Sequence, residues 1–407
     1  MKNFLFLSFS TLLLSLLMTS CIKDKTLHTY TITRPEYSLK STVYNAISSQ
    51  APQAITSFGK MYILGNTLFL CEADKGVHII DNTNPSAPIN KAFIQIPGIR
   101  DMVVKGSVLL ADCYIDLLSI DISDPMQATL VNYLPNVFPD RLYVNGFYLD
   151  SSKVITSWIT KDTTVEEGDM FLYEYGIANS TTSGSGTTGT QQGKSGSMAR
   201  FALQSNYLYT VSNWSLSVFD VNDAKLPVLK KTQSLGWNIE TIYPVNDKLF
   251  IGSQSGMFIF SISSPTQPTQ LATFQHATVC DPVIADNQYA FVTLRSGTTC
   301  QGFTNELNIV DIQQINHPNL VATYPMTNPH GLSKDGNLCF ICDGSAGLKV
   351  YDVSNVQQIQ LKQTIPMAKA YDVIAFNHHA YVTSDDGFYQ FEYTTGDDLK
   401  LLSKMAK

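Results

Sequence analysis

Charge and long apolar segments are scarce in this sequence. Charged residues make up 15% of the 407 residues, whereas hydrophobic residues make up 44%. This charge content is low for a protein built from surface helices, because each such helix needs a polar face toward water. The net charge of −7 argues against nucleic acid as a partner, since binding phosphates takes a basic surface. The many Tyr, Phe, Val, Ile and Thr residues favour strands, so we expect an all-β protein.

Local catalytic motifs are also absent. The sequence contains no G-x-S-x-G, no H-E-x-x-H and no glycine-rich phosphate loop. One C-x-x-C, formed by Cys339 and Cys342, lacks the second pair that a zinc site of this kind needs. We therefore predict a protein that is not an enzyme and has no cofactor. A site assembled from distant segments would leave no local motif, so an enzyme stays as the alternative.

The first twenty residues read as a processing signal. Lys2 is followed by an apolar run over residues 4–18, of the length found in signal peptides and too short for a convincing membrane span. The run ends LMTSC, which resembles a lipobox with Cys21 as the lipid-accepting residue. Residues 22–25 (IKDK) partly resemble the charged export tag of Bacteroidetes surface lipoproteins. We predict an outer-membrane lipoprotein exposed at the cell surface, with a signal peptide over 1–20 and a lipidated tether and short N-terminal segment over 21–54.

A repeat of about 40 residues runs through the remaining chain. Each copy is an apolar run that ends in an acid or a serine and is often followed by a turn. The eight copies are VHIID at 77–81, LSIDI at 118–122, FLYEY at 171–175, SVFDV at 217–221, FIFSI at 258–262, NIVDI at 308–312, KVYDV at 349–353 and YQFEY at 389–393. Two strands precede each copy and one follows it, which is the pattern of a four-stranded propeller blade. We predict a monomeric β-propeller over residues 55–407 with eight blades, or seven as the alternative.

Four of these copies resemble the LVIVD repeat, a family of bacterial and archaeal surface-protein repeats. The resemblance is carried by Ile79-Ile80-Asp81, Ser119-Ile120-Asp121, Ile309-Val310-Asp311 and Val350-Tyr351-Asp352. It extends over residues 55–402 and implies four-stranded blades and an envelope location. The copies at Glu174, Ser261 and Glu392 depart from the pattern. The family implies no defined biochemical activity.

Two insertions interrupt the repeat. Residues 179–197 are rich in Ser, Thr and Gly and have almost no apolar side chain, so we expect a flexible insertion. Such a loop could bind a partner or carry glycans, but a tolerated insertion explains it more simply. A second insertion, at 295–305, extends a loop in blade 6 of the predicted eight.

Candidate binding residues follow from the phase of the repeat. The starts of the innermost strands, aligned on the repeat, are Lys60, Asp101, Asp140, Ala199, Glu240, Asp281, Gly331 and Asp372. One position per blade at equal phase forms one ring, so we expect a carboxylate ring at the channel mouth. The ring could hold a cation such as Ca²⁺ or a cationic or sugar ligand. It could also be structural, with each Asp accepting backbone N–H groups of its own turn or the next blade.

Residues beside the ring vary more from copy to copy, which suits a specific site. Arg100, His330 and Tyr371 are the neighbours that we single out. A sugar platform could also use an aromatic or basic side chain, although most propeller aromatics pack between blades. The candidates for such a platform are Trp158, Trp214, Trp237, Arg295 and Tyr324.

The cysteines predict structure rather than catalysis. Cys280 and Cys300 fall on the same face of one blade and could form a disulfide, which is stable in an oxidising compartment. A bridge between Cys71 and Cys113 of successive blades is a second possibility. Cys339 and Cys342 share one strand and point to opposite faces, so we expect both to be buried and unpaired.

These patterns predict a binding or scaffold propeller that engages an envelope protein or a glycan. The alternatives are a hydrolase or lyase that acts on polysaccharide at the channel mouth, and a cation-binding propeller. The sequence identifies neither the ligand nor the face that binds it.

Overall fold

The computed structural model describes residues 27–149, 152–166, 194–276, 282–297, 304–394 and 398–407. Within this part of the chain, seven antiparallel blades of four consecutive strands follow one another as a β-propeller, and two further short strands extend the sheet of blade 1 to six strands. The innermost strands of successive blades lie side by side around a central channel. We call the face at which these innermost strands begin the upper face.

The strands of each blade run from the innermost to the outermost in chain order. Blade 1 contains Met61–Leu64, Thr67–Glu72, Gly76–Asp81 and Ile89–Gln95; blade 2, Met102–Lys105, Val108–Cys113, Asp116–Asp121 and Thr129–Leu134; blade 3, Phe201–Gln204, Tyr207–Val211, Ser215–Asp220 and Val228–Ser234. Blade 4 contains Ile239–Val245, Lys248–Ser253, Gly256–Ser261 and Thr269–Gln275; blade 5, Val283–Ala285, Tyr289–Leu294, Glu306–Asp311 and Asn319–Pro325. Blade 6 contains Leu332–Asp335, Leu338–Cys342, Leu348–Asp352 and Gln360–Ile365; blade 7, Ala370–Phe376, His379–Ser384, Gly387–Glu392 and Lys400–Ala406.

The repeated apolar run forms the third strand of a blade. Third strands are buried on both faces, as in Asp116–Asp121, whereas the outermost strand Thr129–Leu134 alternates between exposed and half-buried residues. The acid that ends the run has a structural role. Asp81 accepts the N–H of Thr83 at 3.0 Å, and the same i to i+2 bond recurs in blades 2, 3, 5 and 6. The repeated Asp therefore fixes the turn into the fourth strand.

The β-propeller class is confirmed, but the preferred count of eight blades is wrong. Seven of the eight repeated runs lie in third strands; the copy at 171–175 lies outside the described residues. The described residues between blades 2 and 3 form no blade. They contain the short hairpin of Tyr143–Val144 and Phe147–Tyr148 and the long strand Lys153–Glu166. That strand pairs with the N-terminal strand Leu27–Leu39 instead of joining a blade.

The N-terminal segment is docked on the propeller. Residues 27–37, which the sequence analysis assigned to a tether, belong to the strand Leu27–Leu39. Helix α1, Lys40–Asn45, follows within the predicted short N-terminal segment, and Ser49–Gln50 adds to the outer edge of blade 1. The hydroxyl of Tyr44 donates to buried Asp116 at 2.6 Å, and Lys40 pairs with the same carboxylate at 2.7 Å. We call the pair of strands Leu27–Leu39 and Lys153–Glu166 the arm.

The central channel contains a segment of the chain itself, residues 194–200, which we call the clasp. Its short strand Lys194–Ser195 pairs with Tyr62 and Ile63 of blade 1 and lies against the innermost strand of blade 7. Each blade is made of four consecutive strands, so no blade of the described chain combines N-terminal and C-terminal strands. The clasp therefore joins blades 1 and 7 where the ring closes.

The clasp also contacts other blades. Ser197 Oγ accepts the N–H of Leu332 in blade 6 at 2.7 Å, and the carbonyl of Ala199 accepts the N–H of Ile242 in blade 4 at 2.8 Å. Residues 194–197, which the sequence analysis placed in a flexible insertion, thus include buried channel residues. The rest of that insertion, 179–193, lies outside the described residues.

The described cysteines are unpaired and buried: Cys71, Cys113, Cys339 and Cys342. This confirms the expectation for Cys339 and Cys342 and excludes a bridge between Cys71 and Cys113. Cys280 and Cys300 lie outside the described residues, as does Cys21. No helix in the described ranges is long and apolar enough to cross a membrane.

Candidate functional site

A cavity of about 410 Å³ opens on the upper face, beside the channel mouth. The ends of strands in blades 1 to 4 surround it, together with the turn Pro139–Arg141 and Arg295 of blade 5. We call it the mouth cavity. Its lining includes five cationic side chains, Lys60, Arg100, Arg141, Arg200 and Arg295, and four carboxylates, Asp101, Asp112, Asp140 and Glu240.

The structure brings six of the predicted site residues together in this cavity. They are Lys60, Arg100, Asp101, Asp140, Glu240 and Arg295. Asp140 arrives there by a different route from the one expected, because it lies in the turn Pro139–Arg141 and not at the start of an innermost strand. Asp281 lies outside the described residues. His330, Tyr371 and Asp372 are on other parts of the channel.

Asp101 links three blades. Its Oδ1 accepts the N–H of Met102 at 2.7 Å, and its Oδ2 accepts the N–H of Arg200 at 2.6 Å and of Phe201 at 3.1 Å. Lys60 lies 3.3 Å from the same Oδ2. These are the bonds that the structural alternative for the ring required, so Asp101 has little capacity left for a ligand.

Lys60 is buried beside this carboxylate. Only 7% of the residue is exposed. Burial lowers the pKa of Lys60 from its ordinary value, and the Asp101 carboxylate opposes the shift. Lys60 forms an ion pair with Asp101. A further hydrogen-bond acceptor in the cavity would stabilise an ammonium group that is buried in this way.

Asp112 and Arg141 were missed by the sequence analysis. Asp112 accepts the N–H groups of Arg100 and Asp101 at 2.7 and 2.8 Å, and Arg141 forms an ion pair with it. Burial raises the pKa of Asp112, and Arg141 opposes the shift. The sequence did contain a sign of this pair, because Asp112 lies inside the apolar strand Val108–Cys113. A buried carboxylate of this kind needs a cation or N–H donors as partners.

Arg200 and Asp140 face each other at the end of the clasp. Arg200 Nη1 lies 3.9 Å from Asp140 Oδ2, and Nη2 donates to the carbonyl of Ile239 at 2.8 Å. The side chain of Asp140 is 2% exposed. Its buried Oδ1 has no hydrogen-bond partner among the described residues. Asp140 therefore offers an acceptor oxygen at the wall of the cavity.

Glu240 and Arg295 complete the lining. Gln254 Nε2 donates to Glu240 Oε1 at 2.9 Å. Burial lowers the pKa of Arg295, and Glu240 opposes the shift. The buried Nε of Arg295 has no hydrogen-bond partner in the described part of the chain. A buried N–H without an acceptor is costly, so this side chain favours a ligand acceptor.

Asp372 lies under the clasp. Its Oδ1 accepts the N–H of Val373 at 3.0 Å, and the N–H of Ser197 in the clasp also bonds the carboxyl. A Cβ on Gly196 would lie 2.0 Å from Asp372 Oδ2, so the close approach of the clasp requires glycine there. Burial raises the pKa of Asp372 to about 7.

His330 and Tyr371 form an edge-to-face pair with ring centroids 5.5 Å apart. His330 is 5% exposed, and its Nε2 lies 3.0 Å from Asn328 Oδ1. Burial lowers the pKa of His330 to about 3, with a further contribution from Arg295 and Lys369. The Tyr371 hydroxyl donates to Asp385 at 2.6 Å. Both residues have partners within the protein and lie outside the mouth cavity.

The aromatic candidates have separate locations. Tyr324 donates to the carbonyl of Val356 at 2.8 Å and packs between strands, and Trp158 lies edge-to-face with Phe147 in the arm. Trp214 and Trp237 remain on the upper face, edge-to-face at 6.0 Å, and Trp237 is 76% exposed. Only this last pair is placed to meet a ligand.

A metal centre gains no support. The described residues contain no group of three or more His, Cys, Asp or Glu side chains that could hold a metal ion. Asp101 and Asp372, two members of the expected ring, are engaged by backbone N–H groups. Chemically, the mouth cavity presents both signs of charge, five cationic side chains and four carboxylates.

Comparison with known proteins agrees with the fold. The family described as the LVIVD repeat matches residues 300–326 and 331–365, and the chain is a repeat β-propeller. No curated protein matches the sequence.

Three solved structures illustrate the structural likeness. A protein from Lactobacillus plantarum has a TM-score of 0.56 at 12% identity, over 86% of this chain and 96% of that one. The periplasmic gluconolactonase of Pseudomonas aeruginosa has a TM-score of 0.54 at 11% identity, over 85% and 96%. Sqt1 of Saccharomyces cerevisiae has a TM-score of 0.51 at 8% identity, over 88% of each chain. At these identities the likeness shows the fold alone.

Proposed function

We propose that the protein is a non-enzymatic binding propeller of the bacterial envelope that holds a negatively charged group of its ligand in the mouth cavity. One observation carries the proposal. Five cationic side chains line a cavity in which Asp101 and Asp112 are already occupied by backbone N–H groups and cations. Guanidinium groups in such a site suit carboxylate, sulfate or phosphate oxygens.

The donors with spare capacity define where the anion would lie. Arg295 has a buried Nε without a protein acceptor, and Lys60 is buried with Asp101 at 3.3 Å. An anion in the cavity would compensate this buried positive charge, and the Arg295 side chain would have to turn its Nε toward the cavity to bond it. Asp140 Oδ1, also without a partner in the described chain, could accept a hydroxyl or amine of the same ligand.

The envelope location rests on the N-terminal sequence. The run LMTSC at 17–21 provides an acylation site at Cys21, and several buried acyl chains hold a protein firmly at a membrane. We expect radiolabelled palmitate to be incorporated into the native chain and not into the Cys21→Ala variant. Equal labelling of the two proteins would contradict the anchor.

A polysaccharide hydrolase or lyase remains the second candidate, because the site is a polar cavity at a propeller mouth. Such chemistry needs a carboxyl group that can exchange a proton with the substrate. Asp140, whose Oδ1 has no hydrogen-bond partner among the described residues, and Glu240 are the cavity carboxylates to test. Turnover of an acidic polysaccharide that Asp140→Asn or Glu240→Gln abolishes without loss of folding would favour the enzyme.

The binding proposal is tested by calorimetric titration of the full chain in detergent. Galacturonate, inorganic phosphate and sulfate are the anionic probes, and galactose is the uncharged control for galacturonate. We expect at least one anion to bind and galactose not to bind. Failure of all three anions, or equal binding of galacturonate and galactose, would contradict the proposal.

A matched pair of variants locates the site. Arg295→Gln removes the cavity cation with the unpartnered Nε, whereas Lys362→Gln removes a charge from an exposed pair with Asp352 in blade 6. Because a charge-assisted hydrogen bond contributes roughly 1.5–3 kcal/mol, Arg295→Gln should weaken anion binding at least about tenfold. Lys362→Gln should leave it unchanged. An equal loss in both variants would indicate general electrostatics and not this cavity.

A further inference from the structure

A groove on the upper face adjoins the mouth cavity and ends in two tryptophans, half-buried Trp214 and exposed Trp237. Its larger hollow, of about 390 Å³, lies between the end of blade 2 and the outer strands of blade 3. Its smaller hollow, of about 210 Å³, is lined by Trp214, Ser234, Gly236 and Trp237. Trp214 and Ser234 line both hollows, so together they form one surface, which we call the tryptophan groove.

The groove and the mouth cavity share a wall. Successive residues of one turn face alternate sides: Val137 and Pro139 line the groove, whereas Phe138 and Asp140 line the cavity. The same division occurs in blade 3, where Asn213 lines the cavity and the next residue, Trp214, lines the groove. A ligand longer than the mouth cavity would therefore reach the tryptophans by crossing this wall.

The lining of the groove combines aromatic faces with hydroxyl groups. Ser215, Ser217, Thr232 and Ser234 line the same hollow as Trp214. Ser217 and Thr232 are within hydrogen-bond distance of each other, at 2.9 Å. A sugar ring presents an apolar C–H face that stacks on an indole and hydroxyls that bond to such groups.

Trp237 is held ready for such contact. It follows Gly236, whose φ of +119° is open to glycine and strained for other residues. The loop is fixed on its other side, because Ile239 donates its N–H to the carbonyl of Asn213 at 3.0 Å and Gln254 to that of Asn238 at 3.1 Å. The exposed indole thus stands on a fixed loop, which limits the ordering cost of binding.

We infer that the ligand is an acidic oligosaccharide, with an anionic residue in the mouth cavity and a neighbouring sugar ring stacked on Trp237. This inference rests on the proposed function, since the anion in the mouth cavity positions the chain. The groove lies next to the cationic cavity, so a ligand that occupies both must carry negative charge at one end and a ring that can stack beside it. An acidic glycan meets both requirements, whereas an apolar peptide does not.

The test compares a monomer with an oligomer on the full chain. Galacturonic acid and tri-galacturonic acid are the probes, and their dissociation constants are measured by calorimetry. One aromatic stacking contact should strengthen binding of the trimer on the order of three- to tenfold relative to the monomer. Trp237→Ala should remove this gain and leave monomer binding unchanged, whereas Trp237→Phe should restore part of it.

Two controls keep the outcome interpretable. Leu361→Ala, at a side chain that is 53% exposed in blade 6, should change neither constant. Arg295→Gln should weaken monomer and trimer alike. If Arg295→Gln weakens both probes but Trp237→Ala leaves the trimer-to-monomer ratio unchanged, the inference is overturned and the proposed function stands. If neither probe binds, the oligosaccharide inference fails and the proposed function rests on the phosphate and sulfate titrations.

A protein partner would give a different result. If Trp237→Ala abolishes in-cell crosslinking to an envelope protein while both sugar affinities stay unchanged, the groove is a protein site and the glycan inference is overturned. Tryptophan fluorescence provides an independent readout, because two of the three tryptophans lie in the groove. Addition of the trimer should change the emission of the native protein and change it much less in Trp237→Ala.

Discussion

Loss of the proton from Asp372 should make the propeller less stable as the pH rises from acid to neutral. The carboxyl is 5% exposed, lies against Gly196 of the clasp, and has a pKa raised to about 7 by burial. In the unfolded chain the ordinary value is 3.8. Between these two values the folded state holds a proton that the unfolded state has lost, so raising the pH favours unfolding.

The size of the effect follows from the shift. Each pKa unit corresponds to about 1.36 kcal/mol, so the free energy of unfolding contributed by this group should fall by on the order of 4 kcal/mol between pH 4 and pH 8. Asp372→Asn supplies an amide of the same shape that cannot ionise. The variant should therefore gain about this amount relative to the native protein across the same range.

The assay is equilibrium unfolding in guanidinium chloride, measured for both proteins at intervals from pH 4 to pH 8. The difference between the two free energies removes titrations that the proteins share. Asp124→Asn makes the same charge change at an exposed loop of blade 2 and is the control. A difference that is constant with pH, or one in which the native protein gains stability above pH 7, would refute the reasoning and mean that the carboxyl is ionised in the folded state.

Three further perturbations test the hydrogen bonds and packing around the channel. Asp101→Asn should lower the free energy of unfolding by about 3 kcal/mol in denaturant titrations, because an amide has one acceptor oxygen and cannot replace both oxygens of the Asp101 carboxylate, each of which accepts a backbone N–H. Asp398→Asn, at an exposed residue, should lower it much less. Gly196→Ala should lower the free energy of unfolding by about 1–3 kcal/mol, and with it the melting temperature, because the new Cβ is forced against Asp372. Gly297→Ala, with no atom near its Cβ position, should leave the melting temperature unchanged. The pKa of His330 is lowered to about 3, so its contribution to stability is complete above pH 6.5 and is lost as the pH falls toward 3. His330→Gln should therefore lose less melting temperature than the native protein over this pH range. An identical pH profile for the two proteins would contradict the assignment.

The blade pattern could be predicted because it is local. The third strand of a blade is buried on both faces, so its apolar run stands out in the sequence, and the turn after it needs the Asp that Thr83 bonds in blade 1. Such signals reveal where strands are. They do not reveal which strands pair with each other, because the alternation of side chains along one strand does not identify the neighbouring strand.

The error in blade number comes from that limit. Lys153–Glu166 has the composition of a blade strand, but its partner is Leu27–Leu39, more than a hundred residues earlier in the chain. The clasp was hidden for a similar reason. Lys194–Ser195 follows a stretch of Ser, Thr and Gly, and its order derives from contacts with blades 1, 4, 6 and 7 and not from its own apolar residues.

The candidate site was predicted in part by phase alone. Lys60 and Asp101 stand at equal positions in successive repeats and meet in space at 3.3 Å. Asp112 and Arg141 could not be found in this way, because they come from the end of a second strand and from the insertion after blade 2. Residues at equal positions in the repeat can be predicted to form a ring. A charged residue that pairs with the ring from outside the repeat, such as Arg141, cannot be predicted in this way.

The clasp has a consequence for the order in which the chain can assemble. Residues 194–200 leave the ribosome before blades 3 to 7, yet in the folded protein they lie inside the ring that those blades complete. The later blades must therefore gather around a strand that already exists, and the ring cannot close until Ala370–Phe376 reaches it. Afterwards the same strand is held between the innermost strands of blades 1 and 7, so it cannot be withdrawn unless the seam between these two blades opens.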